Sequence, residues 1–175
     1  MKPTTRNVSC VVWIAVVLIQ LCHSHILIDR LALNLFTQEF YEVLRKTVPD
    51  SFVVSPLSAR LGAALIAVGA RGNTAEELTS ALHLPNDPGV IKKTVIRFLA
   101  APKTNNESEV LFANALFPSD EYPLKQRYVA DAHTYFRAHV QTVDYQQSEE
   151  VMETINRWAA EKTHNLIRNM VEPRK

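Results

Sequence analysis

The side chains that could do chemistry are few in this 175-residue chain, and none of them forms an enzyme motif. The sequence contains no G-x-S-x-G elbow, no phosphate-binding loop, no H-E-x-x-H helix and no closely spaced cysteine pair. A set of possible metal ligands lies close together in the sequence: Asp131, His133 and His139. However, Asp131 and His133 are two residues apart on a predicted helix, and residues at that spacing do not share a face. We therefore expect surface residues there. The sequence predicts a protein that is not an enzyme and that uses no metal or cofactor.

A basic strip on one predicted helix is the clearest candidate binding feature. Lys92, Lys93 and Arg97 could bind a polyanion such as a glycosaminoglycan, and an ordinary solvated helix face is the alternative. The spacing Gly69-x-x-Gly72 is similar to the loop with which KH domains clamp nucleic acids, although a plain turn between helices also explains it. Because 19 Lys and Arg face 18 Asp and Glu, a net charge of +1, we expect no nucleic-acid partner.

The first 24 residues have the layout of a secretory signal peptide. Lys2 and Arg6 precede an apolar run that extends from Val11 to Leu21, and small residues stand before a possible cleavage after Ser24. The run is shorter than the roughly 18–20 apolar residues that span a bilayer, so a membrane anchor is the weaker alternative. We predict a signal peptide at 1–24, one domain at 25–175, and a secreted, extracellular protein without membrane contact after cleavage.

Two consequences follow for the mature chain. Both cysteines, Cys10 and Cys22, would leave with the signal peptide, so packing alone would stabilise the domain. The sequon Asn106-Glu107-Ser108 lies in a polar stretch, where a secreted protein can carry an N-linked glycan. We predict glycosylation at Asn106.

Apolar side chains at helical spacing predict six helices. The first covers about 29–46. Ser55 and Pro56 begin the second, which extends to about 68 and whose Gly62 we expect to meet a closely packed backbone. Thr74 and Glu77 predict a capping box for the third. The fourth follows Pro88 and exposes the basic strip, and the last two cover about 124–136 and 148–169.

Three short segments predict strands. Residues 51–54 are expected to form a short buried strand, 110–117 are apolar on both faces, and 138–144 alternate. The strand at 110–117 needs two neighbours, yet only 138–144 can supply one. An unpaired apolar edge is an aggregation hazard, so we expect an unstable or molten chain unless a partner supplies strands.

Four segments of the sequence together resemble the serpin family. The segment 53–58 (VVSPLS), followed by 69–78 (GARGNTAEEL), resembles the N-terminal serpin signature. Residues 113–117 (ANALF) are similar to the central strand motif, and 155–158 (INRW) with 161–167 (EKTHNLI) are similar to the sixth helix. The four segments occur in the right order at compatible spacing and span nearly all of the predicted mature chain.

The resemblance implies the α+β serpin fold in its N-terminal portion, namely helices A to F and the first strands of the central sheet. In this family a serine protease attacks an exposed reactive-centre loop, which then inserts as an extra strand into the sheet. The resemblance places Ser55 and Ser58 in the shutter region beneath the opening sheet. It places Asn156, Trp158 and Thr163 on the helix that crosses the sheet, and the basic strip on the helix that binds heparin in some members.

The sequence departs from the family pattern in length and at one helix. It stops at Lys175, just after the sixth helix, so we expect it to lack the reactive-centre loop and not to inhibit by itself. A serine protease would be the partner of a full-length form. The alternative is a non-inhibitory secreted binding protein that acts through its basic helix or pairs with another serpin. Ala59, Arg60 and Ala63 replace residues that are usually bulkier or uncharged, so we expect altered packing of the second helix.

Overall fold

The computed structural model describes residues 6–100 and 112–172, with side chains from residue 27 onward. Its helices are α1 (Arg6–Thr47), α2 (Pro56–Gly69), α3 (Gly72–Ala81), α4 (Pro88–Ala100), α5 (Gln126–Phe136) and α6 (Ser148–Lys162). Two short strands, β1 (Asn114–Leu116) and β2 (Ala138–Val140), complete the described secondary structure. The existence of all six predicted helices is therefore confirmed.

The first helix is longer than its apolar pattern indicates. Helix α1 continues without a break across position 24, where we predict signal-peptide cleavage, and that cleavage stays a prediction. Within the part of the chain that the structure describes, no helix combines the length and apolar character needed to cross a bilayer.

The main apolar core lies where α2, α4 and α5 meet. It is formed by fully or almost fully buried side chains: Leu61, Ala64, Leu65 and Val68 of α2, Ile91, Val95 and Leu99 of α4, Ala132 and Phe136 of α5, and Ala138 of β2. Burying one large apolar side chain stabilises a fold by roughly 1.5–3 kcal/mol. These contacts hold the three helices in fixed relative positions. The core therefore also determines where the side chains on the outer faces of these helices lie relative to one another.

Arg60, one of the three residues of α2 that depart from the family pattern, has a structural role. Its side chain is buried, its Nε donates a hydrogen bond to the carbonyl of Leu82 (2.8 Å), and its Nη2 donates to the carbonyl of His83 (3.1 Å). Both carbonyls follow the end of α3, where helices leave acceptors unsatisfied. Burial lowers the pKa of the Arg60 guanidinium, and attraction to Asp29 opposes that shift. Arg60 thus ties α2 to the end of α3.

The two strands form a parallel pair. Asn114, Ala115 and Leu116 lie opposite Ala138, His139 and Val140, and an isolated bridge joins Ser119 to Val143. The pairing of the predicted strands is confirmed, although each is only three residues long, and residues 110 and 111 lie outside the described residues. Over 6–100 and 112–172, no further strand pairs with β1.

The prediction of a buried strand at 51–54 is wrong. These residues adopt no regular structure, and Val53 is fully exposed. An apolar run forms a strand only where a neighbouring strand accepts its hydrogen bonds, and none does so for 51–54 within the described ranges. The helix start that follows is confirmed, because Ser55 caps α2 and Pro56 occupies its first turn.

The predicted capping box of α3 is also wrong. The helix begins at Gly72, whose φ of +57° is the left-handed conformation that glycine adopts readily, and its N-cap is Arg71. Thr74 therefore lies inside the first turn instead of at the cap. The turn at 69–72 places the helix start three residues earlier than the Thr-x-x-Glu pattern indicates.

The last helix is shorter than predicted. Helix α6 ends at Lys162, and His164 and Asn165 have positive φ values that turn the chain away from helical geometry. Leu166, which lies inside the predicted range 148–169, is 86% exposed as a result.

The close contact that we expected at Gly62 of α2 occurs instead at Gly69, the last residue of the same helix. Apart from its chain neighbours and its own helix backbone, no atom of the described residues lies within 4 Å of a methyl group added at Gly62, so these residues do not make the close backbone contact expected there. At Gly69 the added carbon would lie 2.8 Å from a ring carbon of Tyr128. The close approach that excludes a side chain therefore occurs at Gly69.

Candidate functional site

The indole of Trp158 connects α6 with the segment just after β1. Its ring meets the ring of Phe117 edge to face, with centroids 5.9 Å apart. The indole Nε1 is buried and has no hydrogen-bond partner among the described residues. A buried N–H without an acceptor destabilises a fold by about 1–3 kcal/mol. The indole therefore contributes apolar packing, and its N–H group opposes part of that stabilisation.

Asn156 holds the segment that follows α6. Its Nδ2 donates to the carbonyl of Val171 (2.9 Å), and its Oδ1 accepts hydrogen bonds from the backbone N–H groups of Met170 (2.8 Å) and Val171 (2.9 Å). One amide therefore engages three backbone groups and folds residues 170–171 back onto the helix. Its side chain acts as a tether for an exposed segment.

Thr163 ends α6. Its Oγ1 donates to the carbonyl of Ala159 (2.7 Å) and accepts from the backbone N–H of Ile167 (3.0 Å), so it links the last helical turn to the chain beyond. The three predicted residues of this helix thus have separate contacts. Asn156 and Thr163 fix the segment after the helix, whereas Trp158 packs against Phe117.

Ser55 and Ser58 form a pair at the start of α2. Their hydroxyl oxygens are 3.0 Å apart, and Ser55 Oγ also accepts a hydrogen bond from the backbone N–H of Ser58 (3.3 Å). Both side chains are exposed. Within the described residues their hydrogen bonds only cap the helix, and their assignment to a shutter stays a prediction.

Lys92 is not part of an exposed strip, which corrects our expectation for it. Its Nζ lies 2.8 Å from Oδ2 of Asp131 on α5 and 4.9 Å from the centre of the Tyr135 ring. Its side chain is only 14% exposed. Lys92 therefore joins α4 to α5 through an ion pair and a cation–π contact.

The other two basic residues of the predicted strip differ from each other. Nη2 of Arg97 is 2.6 Å from Oδ2 of Asp29 on α1 and 3.0 Å from the hydroxyl of Thr94. Lys93 is exposed and has no hydrogen bond or ion pair within the described residues. Two of the three cations thus already have acidic partners, and polyanion binding by this strip stays a prediction.

The remaining predicted site residues are Asn106, Asp131, His133 and His139. Asn106 lies outside the described residues, so its glycosylation stays a prediction. Asp131 pairs with Lys92, while His133 and His139 are exposed. No group of three potential metal ligands occurs within the part of the chain that the structure describes.

Sequence reasoning missed a set of cations around a cavity between α2 and α5. Arg71, Lys125 and Arg127 line this cavity of about 680 Å³, and Tyr128 also lines it. Arg71 is more than 50 residues from Lys125 and Arg127 in the sequence, and the three residues form no run of charge. The available signal was their position: Arg71 and Lys125 are N-caps of α3 and α5, and Arg127 lies in the first turn of α5, where acidic residues are electrostatically preferred.

Comparison with known proteins identifies relatives over most of the chain. A family model described as Serpin (serine protease inhibitor) matches residues 31–175. Serine protease inhibitor 42Dd of Drosophila melanogaster is 29% identical over 140 residues, which cover 78% of this chain and 38% of that protein. Human neuroserpin is 28% identical over 137 residues, covering 77% of this chain and 33% of its own length.

The solved structures show the same similarity in three dimensions. The crystal structure of Serpin48 from the insect Tenebrio molitor matches with a TM-score of 0.74 and 31% identity, over 81% of this chain and 39% of that one. The chain thus spans little more than a third of the length of the relatives it matches. The predicted fold class, the N-terminal portion of an α+β serpin fold, is confirmed.

Proposed function

This chain belongs to the serpin family, and from that premise we propose that it is the structural frame of a secreted inhibitor of serine proteases. The observation that carries the proposal is the family match over residues 31–175. Serpins are protease inhibitors in general and not enzymes, which agrees with the absence of enzyme motifs in the sequence. The partner of the whole protein would be a serine protease.

Within this proposal we infer a division of labour: the described residues provide the structural frame, and a reactive loop of the whole protein performs the insertion. In serpins the inhibitory step is insertion of the cleaved reactive loop into the central sheet. The described residues contribute a parallel pair of strands, β1 and β2, and a helix whose Trp158 packs beside them. These parts belong to the frame into which a loop inserts. We propose that the 175 residues alone do not perform the insertion.

A covalent-complex assay tests this division. The purified chain is mixed with a trypsin-like and a chymotrypsin-like protease, and the products are separated on an SDS gel. We expect no SDS-stable complex and undiminished protease activity, with an established full-length serpin as the positive control. An SDS-stable band that contains this chain would refute the division of labour.

A separate observation tests the inhibitory role of the whole protein. The transcript is sequenced beyond the codon for Lys175. An in-frame hinge and reactive loop would support inhibition by a longer product, and a stop codon in every transcript would leave the family fold without the inhibitory activity proposed here.

Secretion and glycosylation are tested together. The chain is expressed with its own N-terminus in a secretory cell line, and the medium is analysed by mass spectrometry. We expect a mature N-terminus at His25 and a mass that falls after enzymatic removal of N-glycans. The variant Asn106→Gln should be secreted without that change in mass. Recovery of the protein only from cells, with residues 1–24 intact, would contradict the proposed secretion.

A further inference from the structure

The cavity between α2 and α5 has a preformed floor. It is bounded by the C-terminal end of α2, the first turns of α4 and the residues that lead into α5. The Tyr128 ring packs against Gly69, and its hydroxyl donates a hydrogen bond to the carbonyl of Leu65 (2.9 Å). The ring is therefore fixed from two sides. The volume of about 680 Å³ is within the range of about 300–1,000 Å³ that is typical of small-molecule sites.

One wall of the cavity is apolar. Ile66 projects from α2 and is 55% exposed, although the residues beside it in the sequence face the buried core. Pro123 and Leu124, in the segment that leads into α5, also line the cavity. These side chains present an apolar surface that water covers when the cavity holds no ligand, and an alkyl or aromatic group could replace that water favourably.

The rim of the cavity is strongly cationic. Arg71, Lys125 and Arg127 are exposed, and none of them forms an ion pair within the described residues. The acidic residue that lines the cavity, Asp131, is already paired with Lys92 at 2.8 Å. Three positive charges therefore surround an apolar wall without a compensating acid.

Arg71 already donates hydrogen bonds from Nη1 to the carbonyls of Val68 (3.2 Å) and Ala70 (2.6 Å) at the end of α2, whereas the position of Lys125 and Arg127 is electrostatically unfavourable in the absence of a ligand. Lys125 and Arg127 lie at the N-terminal end of α5, where the helix dipole already contributes partial positive charge. Like charges at such a position repel one another and the dipole. A bound anion would relieve both effects, because it would face cationic side chains and a positive helix end at the same time.

From the combination of apolar wall, fixed aromatic floor and cationic rim, we propose that this cavity binds a small amphipathic anion. The ligand has an apolar body that packs on Ile66 and Tyr128, and an acidic head group that lies at Lys125 and Arg127. The proposal goes beyond the proposed function, because it concerns residues of α2 and α5 that the argument about loop insertion does not use.

Titration with octanoate tests the proposal. Octanoate, kept below its micelle-forming concentration, is added to the ¹⁵N-labelled chain, and amide shifts are followed by NMR. We expect saturable shifts that are centred on Gly69, Arg71 and Tyr128. Acetate, which lacks the apolar body, and 1-octanol, which lacks the charge, should each bind at least about tenfold more weakly.

Matched variants distinguish binding of octanoate by the rim cations from a non-specific effect of the protein's net charge. The double variant Lys125→Gln, Arg127→Gln should weaken octanoate binding about tenfold or more. The control Lys93→Gln, Arg30→Gln removes the same two charges from exposed positions that do not line the cavity, and it should bind octanoate normally. Neither pair of side chains forms hydrogen bonds or ion pairs within the described residues, so we expect both proteins to fold.

A change in the apolar wall gives an independent readout. Ile66→Asp should abolish octanoate binding, because it places a carboxylate where the alkyl chain would pack. Equal affinity of the rim and control variants, or shifts spread over all exposed apolar surfaces, would overturn the proposal. Displacement of octanoate by a heparin-derived disaccharide at lower concentration would also overturn it and would indicate a sulfated sugar as the ligand.

Discussion

The packed block of α2, α4 and α5 and the outer layer, by which we mean residues 163–172 after α6, are stabilised in different ways. In the packed block, Phe136 and Ala132 are completely buried, and Ile91 is 1% exposed. Beyond α6, Leu166 is 86% exposed and Met170 is 57% exposed. The packed block depends on apolar burial, whereas the end of the outer layer depends on directional hydrogen bonds such as those of Asn156.

This contrast indicates where stability resides in the chain. Burial of apolar surface is a cooperative property of several helices, so a defect in the packed block affects all of them. Exposed hydrogen bonds contribute less, because water competes for each partner. We therefore expect local opening to begin in the outer layer, and four predictions test the contrast.

Phe136→Ala should have the largest effect. Removal of a completely buried ring leaves a cavity among α2, α4 and α5 and should lower the free energy of unfolding by about 3–5 kcal/mol. The matched change Leu166→Ala should alter it by less than about 0.5 kcal/mol. Urea unfolding measures both values, and similar losses in the two variants would mean that the packed block is not the centre of stability.

Gly69→Ala should have the next largest effect. Its new methyl group would lie 2.8 Å from Tyr128, and the required shift of the ring should cost about 1–3 kcal/mol. The same change at Gly62 meets open space and should stabilise α2 by about 0.5–1 kcal/mol, because alanine favours helix more than glycine does. Thermal unfolding of the two variants gives the comparison, and a shift of the same sign in both would contradict it.

Tyr128→Phe should reveal a stability change at alkaline pH. Burial raises the pKa of Tyr128 above its ordinary value of 10.0, so the folded state favours the protonated hydroxyl. The resulting stability is present below pH 10 and is lost as the pH rises through the raised folded-state pKa. The variant lacks this loss, and at neutral pH it should be less stable by about 0.5–1.5 kcal/mol because its hydrogen bond to Leu65 is gone.

Urea unfolding between pH 9 and 11 measures this difference. Tyr122→Phe is the control, because Tyr122 is 74% exposed and should keep the wild-type pH profile. Identical alkaline profiles for wild type and Tyr128→Phe would show that the Tyr128 hydroxyl is not held by the packed block.

Asn156→Ala should have the smallest effect on overall stability. Loss of its three hydrogen bonds should release residues 170–171 and speed hydrogen exchange at the amides of Met170 and Val171. The free energy of unfolding should change by less than about 0.5 kcal/mol, because the packed block is untouched. Asn169→Ala, at an exposed neighbour, is the control, and faster exchange throughout α2 in Asn156→Ala would contradict a local role.

Much of the fold could be predicted from the sequence. The six helices follow from apolar periodicity, and the start of α2 follows from Ser55 and Pro56, because capping depends on residues that are neighbours in the sequence. The errors occurred where distant residues decide the outcome. The segment 51–54 has strand-like composition but no pairing partner within the described residues, and Leu166 follows a turn that the apolar pattern does not reveal.

The candidate sites were less predictable for the same reason. Lys92, Lys93 and Arg97 look alike in the sequence, since all three are cations on one helix. The positions of Asp131 and Asp29 make two of them partners in ion pairs and leave Lys93 exposed. The cations of the α2/α5 cavity come from segments more than 50 residues apart and were not recognised as a group.

The sequence by itself determined the helices, the family and the absence of enzyme motifs, because these depend on local spacing and on the order of motifs. The tertiary structure decided which glycine is sterically required, which lysine is accessible and which basic residues share a cavity. Each of these depends on how α2, α4 and α5 pack around their common core. Local periodicity specifies the face of a helix, and only packing specifies what that face contacts.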